Sequence, residues 1–345
     1  MTASFGRRIA GLFAPVAVAL AATIGLLLLA GAPPLEALRL IGEGAFSGKT
    51  RFADTLMAWA PLAIAGAGLI VTFAAGLWNI GVEGQIVAGA IAASLAARTL
   101  PGDRPLVLTV TLVAGVIGGA LWAGAAGLLK TKGRVNEIFG GIGLGFVAQS
   151  FATYLIIGPW KRAGVASTSG TEPFRDATWL PTAVGTRLAP IAMLLAVAML
   201  SGVALMMRGT RFGLRLRAVG SNPASARLLG VPADATVLRA FLLGGGLAGL
   251  AGAVLVTGLQ HKLVPSIAGG RGFLAVLVVL LAGSRVRWVG LIALFFAGIS
   301  VGSSQLQLRL DLDSSLGAVI QGLLVISAVL FGGWLNRKPK VAGPA

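Results

Sequence analysis

Apolar runs recur from one end of this chain to the other, and most are long enough to cross a membrane. Ten candidate spans can be drawn, at about 9–31, 53–75, 84–100, 106–129, 136–158, 188–207, 236–259, 272–284, 288–308 and 315–334. A run of about 18 or more apolar residues matches a hydrocarbon core of about 30 Å. Only 11% of the 345 residues are charged and the mean hydropathy is +0.90, whereas a soluble domain carries about 25% charged residues. The sequence therefore predicts a single all-α polytopic membrane domain over 1–345, with the short eighth span broken, tilted or re-entrant.

The chain contains 51 glycines. Gly115, Gly119, Ala123 and Gly127 recur at every fourth residue, as do Gly244, Ala248 and Gly252. Such ridges let membrane helices approach closely and do not by themselves indicate an activity. With no cysteine and one histidine, His261, a thiolate or histidine metal centre is not expected. The net charge of +17 sits at the ends of apolar runs rather than in a basic domain, so nucleic acid is not an expected partner.

Alternation of ten spans puts Arg7 and Arg8 on the same side as Lys130, Lys132, Arg134, Arg285, Arg287 and the arginines of 208–227. Arg337, Lys338 and Lys340 fall there too, while Glu36, Glu43, Asp54, Asp103, Glu172 and Asp176 fall opposite. Basic loops face the cytoplasm, which places both termini inside. The first run, from Ile9, is longer than a secretory core and reads as a retained span despite Ala30-Gly31-Ala32. The outer segment 159–187, with Trp160, Trp179 and three prolines, reads as an ordered external loop.

Two polar interruptions stand out. "GLWNIGVEGQ" (76–85) places Asn79, Glu83 and Gln85 between two apolar runs. A carboxylate at the bilayer centre costs about 2.5 kcal/mol or more on insertion scales, so Glu83 is not expected to face lipid. It falls in the first turn of a new helix, where free N–H groups favour an anion. The three residues either satisfy backbone at a helix break or line a solute path; Asn79 and Gln85 suit a neutral polar ligand, and Glu83 suits structure. Gln149, Ser150 and Tyr154, with Ser303, Ser304, Gln305 and Gln307, are further path candidates or interhelical hydrogen-bonding groups. Asn136 and Glu137 read as a helix start.

The second interruption is the inner loop 208–235. Asn222 is a strong N-cap, Pro223 suits the first helical position, and Gly230 suits the residue past the end. Two turns between them are unstable alone in water, so the helix must pack on something: headgroups or a cytoplasmic partner.

"GTRFGLRLRAVGSNPASARLLGV" (209–231) closely resembles the cytoplasmic loop of bacterial ABC-importer permeases for simple sugars and nucleosides. "LWNIGVEGQ" (77–85), "GRVNEIFGGIGLGFVA" (133–148) and "GGRGFLAVLVVLLAG" (269–283) are similar to that family in the same order. Gly145 and Leu274 depart from the nucleoside branch, which tends to carry Asn and Asp there, and they leave the substrate open. The resemblance implies a type II ABC-importer-like permease that works by alternating access in a bacterial or archaeal plasma membrane. It implies a second permease subunit, identical or paralogous, and an external solute-binding lipoprotein. It also implies cytoplasmic ATPase subunits that use ATP and Mg, with no cofactor in this chain, which has no G-x-x-x-x-G-K-[ST] loop of its own. Arg217, Gly220, Ser221, Asn222, Pro223, Ala226, Arg227 and Gly230 would then form the ATPase-coupling segment. The alternative is an ion-coupled secondary transporter, which usually shows paired acids within the membrane. A membrane hydrolase would need a nucleophile–base cluster, and none is evident.

Overall fold

Helices of two packing styles make up most of the described residues. In the computed structural model the described residues are 17, 18, 20–29, 31–164, 169–313 and 315–335, and among them there is no strand. Arg7, Arg8, Arg337, Lys338 and Lys340 lie outside the described residues, as does Ala30 of the cleavage-like triplet.

The helices are α1 (Leu20–Leu29), α2 (Pro34–Phe46), α3 (Gly48–Ala74), α4 (Val82–Thr99), α5 (Arg104–Thr131), α6 (Glu137–Ile157) and α7 (Pro190–Gly209). There follow α8 (Arg211–Ser221), α9 (Pro223–Leu228), α10 (Ala233–Val254), α11 (Arg271–Leu281), α12 (Val286–Gly302), α13 (Ser304–Leu310) and α14 (Leu316–Leu335). Among the described residues, six stretches are long and apolar enough to cross a membrane: α3, α5, α6, α7, α10 with its π-helical end, and α12 with α13. A bent pair, α1 with α2, makes a seventh if counted as one span. The chain is thus an all-helical, polytopic membrane protein. Helix α11, with 11 residues, is about 17 Å long and reaches roughly halfway through a bilayer core.

Contacts divide the chain into two units, one of Met1–Arg51 with Gly298–Ala345 and one of Phe52–Ala297. In the first, Leu27, Ala37, Ile41, Ile299, Leu306 and Ile320 form the core. Gly302 there packs directly on the backbone of Ile41.

The second unit is organised by α4, α5 and α10. The two small-residue ridges read from the sequence face one another: a Cβ on Gly249 would collide with the carbonyl oxygen of Gly115, and one on Gly119 with the backbone of Gly249. Backbone-to-backbone approach of this kind gives membrane helices dispersion contacts without an aqueous hydrophobic drive. In contrast, α6 and α7 expose most of their apolar surface, as lipid-facing or partner-facing helices do.

At the end of α10 the backbone loosens into a π-helical turn, Leu255–Leu259. Thr257 there offers its carbonyl to the backbone N–H of Leu180, 3.0 Å away. The segment around 171–180 is tied down again by Phe174 N–H to His261 O at 2.8 Å and Thr171 N–H to Leu263 O at 2.9 Å. The described part of the 159–187 segment is therefore ordered against the 257–263 backbone, as the sequence suggested.

Candidate functional site

The break between α3 and α4 explains the polar interruption at 76–85. Helix α3 ends at Ala74, Gly76 takes a left-handed φ of 74°, and α4 starts at Val82. Asn79 and Gln85, both buried, form a closed amide pair: Asn79 Nδ2 donates to Gln85 Oε1 at 3.0 Å, and Gln85 Nε2 donates to Asn79 Oδ1 at 2.8 Å. Each side chain satisfies the other across the first turn of α4, which meets the requirement that buried polar groups be hydrogen-bonded.

Glu83 reaches across to another helix. Its Oε1 accepts from the backbone N–H of Gly270 at 2.7 Å and its Oε2 from that of Gly272 at 2.7 Å. Those two groups belong to the N-terminal end of α11, where unpaired N–H groups and the dipole attract a carboxylate. The approach requires glycine at 272, because a Cβ there would lie 2.7 Å from the Glu83 Cα. Gly270 itself has a left-handed φ of 77° and turns the chain into α11. Glu83 thus joins the start of α4 to the start of the half-length helix.

Beside this junction lies a cavity of about 400 Å³, bounded by α4, α6, the 266–270 segment and α11. Glu83, Gln149 and Ser266 supply polar side chains, and Phe146 and Phe273 supply aromatic walls. The volume falls within the range of small-molecule sites, about 300–1,000 Å³. Phe146 is 71% exposed and Phe273 50% exposed, so each has ring surface free for a ligand. Close packing of α4 on α6 gives the cavity its shape: a Cβ on Gly84 would meet Gly145 Cα at 2.7 Å, and one on Gly81 would meet Gly141 Cα at 2.9 Å.

Of the path candidates, Glu83 and Gln149 line this cavity, while Asn79 and Gln85 are sealed in their mutual pair next to it. Tyr154 is exposed, stacks on Phe151 at 6.4 Å and is not among the lining residues. Gln305 belongs to the first unit, packed where Gly44 leaves room for it. Phe146 and Phe273 were not singled out from the sequence, although both stand in the family-like stretches 133–148 and 269–283. Asn136 caps α6 by accepting from Ile138 N–H at 2.9 Å, and Glu137 pairs with Lys130 at 2.6 Å.

His261 stacks on the Trp179 ring at 4.2 Å. Burial pushes its imidazole below the ordinary histidine range, against the opposing pull of the Thr257 backbone and Asp176. No group of three or more potential metal-ligating side chains occurs among the described residues.

The 208–235 segment forms the expected short helix. In α9 the Asn222 Oδ1 accepts from Ala224 N–H at 3.0 Å and Ser225 N–H at 3.1 Å, Pro223 opens the helix, and Gly230 closes it with φ of 76°. Ala226 packs with Val219 of α8 and Ala233 of α10. Arg227 is ion-paired with Asp234 at 2.8 Å. Ser221 Oγ–H donates to the Ala218 carbonyl at 2.9 Å. Two large apolar side chains also face outward, Leu228 at 89% exposed and Leu229 at 81%, beside the exposed Pro223, Ala224, Ser225 and Arg227.

The sequence reads as a loop from 208, whereas α7 runs to Gly209 and Arg211–Ser221 form α8, opened by Thr210, whose Oγ1 accepts from Gly213 N–H at 3.1 Å. Near the end of α8, Gly220 touches Ala74 and Gly76 at the end of α3, with no room for a Cβ. Helix α8, which leads into the capped α9, and the polar break are therefore connected by direct backbone contact.

A polytopic helical bundle with a ligand-sized cavity beside a helix break fits a membrane transport protein. The family model for the branched-chain amino acid transport system / permease component matches residues 51–329, and the chain belongs to that family of ABC-transporter permeases. It is 32% identical over 305 residues to a glucose ABC transporter permease protein of Haloferax volcanii, covering 85% of this chain and 80% of that one. It is 25% identical over 337 residues to a guanosine ABC transporter permease protein of Bacillus subtilis, covering 94% of each. A nucleoside ABC transporter permease protein of Lactococcus lactis is 26% identical over 260 residues, covering 72% of this chain and 71% of its own length.

Proposed function

We propose that this permease moves a nucleoside or simple sugar inward through the cavity beside Glu83. The observation that supports this most is the lining itself: one carboxylate, one carboxamide, one serine hydroxyl and two phenylalanine rings around about 400 Å³. Hydroxyls and ring nitrogens suit Gln149 and the free lone pairs of Glu83, while a base or the apolar face of a sugar suits Phe146 and Phe273. The relatives named for glucose, guanosine and nucleosides support the same substrate class.

In this reading the whole chain acts as one permease domain of about ten transmembrane helices, some of them broken or re-entrant, with both termini in the cytoplasm of a bacterial or archaeal cell. Two permease chains, alike or paralogous, enclose the path, and an external lipoprotein delivers the solute. ATP and Mg are used by separate ATPase subunits that receive α9 in a groove. Their closure presses on α9 and α8, and Gly220 passes the displacement to Gly76. The 76–81 segment then shifts the start of α4, and Glu83 draws α11 with it, opening the cavity to the other side. Such a switch requires contacts that differ between the two states, and the Glu83–α11 cap is one that a small shift of α4 would alter.

The test is reconstitution of the permease with its ATPase in proteoliposomes containing ATP and supplied with the loaded binding protein. Uptake of labelled guanosine or glucose that stops with vanadate and survives an uncoupler supports the proposal. Uptake that stops with the uncoupler and ignores vanadate overturns it in favour of ion coupling.

A further inference from the structure

Away from the solute cavity, the second unit contains a larger one of about 740 Å³, bounded by α3, α7, α8 and the start of α12. Four arginines line it: Arg208 from the last turn of α7, Arg217 from α8, and Arg285 and Arg287 at the start of α12. The ion-paired bases elsewhere are Arg39, Lys130, Arg162 and Arg227; none of the four cavity arginines is ion-paired among the described residues. No Asp or Glu is among the lining residues. The rest of the lining is mostly apolar, with Ile70, Val197, Leu200, Ala204 and Met207 beside Ser201 and Ser284.

We infer that this cavity binds an anionic phospholipid, its phosphate among the four arginines and an acyl chain along α7. Three observations favour that ligand. Four exposed arginines around one cavity concentrate positive charge there, and a phosphate can meet them with charge-assisted, often bidentate hydrogen bonds. The first N–H groups of α12 lie at the same place and add to the attraction for an anion. The apolar wall on the exposed helix α7 gives the ligand a tail, which a free phosphate or a nucleotide lacks. Basic pockets between membrane helices on the cytoplasmic side suit acidic headgroups, with about 1 kcal/mol per basic residue near such a surface.

The bound lipid would also wedge α7 and α12 against α8, the helix that precedes the coupling knob. Acidic lipid content then tunes how firmly α8 is held, independently of which solute is carried.

The test uses the full-length chain in detergent, with native mass spectrometry after addition of phosphatidylglycerol, phosphatidylcholine or inorganic phosphate. Wild type should retain phosphatidylglycerol at least about tenfold more than phosphatidylcholine. The Arg208→Gln/Arg285→Gln/Arg287→Gln variant should lose that preference by about tenfold. Ala204→Trp, which fills the apolar wall and leaves every charge, should also lose the lipid. Arg285→Lys/Arg287→Lys should keep most of it, and these two variants decide the matter if the triple variant does not fold. Millimolar inorganic phosphate should not displace the lipid. Equal retention of both lipids, unchanged retention in the triple or Ala204→Trp variant, or full displacement by inorganic phosphate would each overturn the inference. So would a triple variant that keeps the lipid and loses the co-purifying ATPase, since the arginines would then belong to a protein interface.

Discussion

Glu83 and Gly272 are 189 residues apart in sequence, yet a 2.7 Å hydrogen bond from the Gly272 backbone N–H to Glu83 Oε2 holds them together. With the matching bond from Gly270, this single carboxylate closes the N-terminal end of the half-length helix α11.

Replacing Glu83 by Gln leaves one oxygen to accept where two are needed, and turns an N–H towards another N–H. A buried donor left unsatisfied costs about 1–3 kcal/mol. The Glu83→Gln variant should insert but melt at a lower temperature in a fluorescence-detected thermal scan. Gly272→Ala should melt lower as well, because its new methyl displaces the same carboxylate. A Glu83→Gln variant with unchanged melting that has lost only transport would show that the carboxylate acts on solute.

The Asn79–Gln85 pair gives a different pattern. Asn79→Ala strands two buried polar groups of Gln85, and Gln85→Ala strands those of Asn79, at about 1–3 kcal/mol each. The double variant removes both sets and should cost less than the two single losses together. A double-mutant cycle on thermal or denaturant stability checks this. Strict additivity, with transport impaired and stability intact, would place the two amides on the solute path instead.

For Phe146 and Phe273, truncation removes ring surface from the cavity without touching a helix cap. An aromatic pair contributes about 0.5–1.5 kcal/mol beyond its buried area, so Phe146→Ala or Phe273→Ala should raise the apparent KM for uptake about 2- to 12-fold. ATPase association should be unchanged. Normal uptake kinetics in both variants would move the solute elsewhere.

Gly220→Ala should act through the contact with Ala74 and Gly76. The added methyl has no space, and overpacking of this kind costs about 1–3 kcal/mol. Uptake per ATP hydrolysed should fall while the ATPase stays bound. Unchanged coupling would remove α8 from the transmission route.

The parts of this architecture that local chemistry dictates were legible in the sequence. Asn222, Pro223 and Gly230 announce a capped two-turn helix without reference to anything distant, and the structure has it. The two glycine ridges were visible as ridges, but which helix each one met was not, since small-residue spacing carries no address. Helix α8 was missed because Arg211, Arg215 and Arg217 with Gly213 and Gly220 read as a basic, glycine-broken loop; Leu216 and Val219 become a buried face only once α10 is beside them. For Glu83, the expected helix-start position was right, but its partners belong to a different helix start, and no spacing rule links residues so far apart. Asn79 and Gln85 had two open readings because a mutual amide pair and a solute contact ask for the same side chains.

The most direct test concerns the exposed leucines of α9. Leu228→Asp/Leu229→Asp leaves the Asn222 cap and the Arg227–Asp234 pair in place and alters only the outward apolar surface. In proteoliposomes with the ATPase and loaded binding protein, solute-stimulated ATP hydrolysis should drop to the basal rate and uptake should stop, with the permease still folded. Stimulated hydrolysis and uptake equal to wild type would contradict the assignment of α9 as the element that receives force from the ATPase.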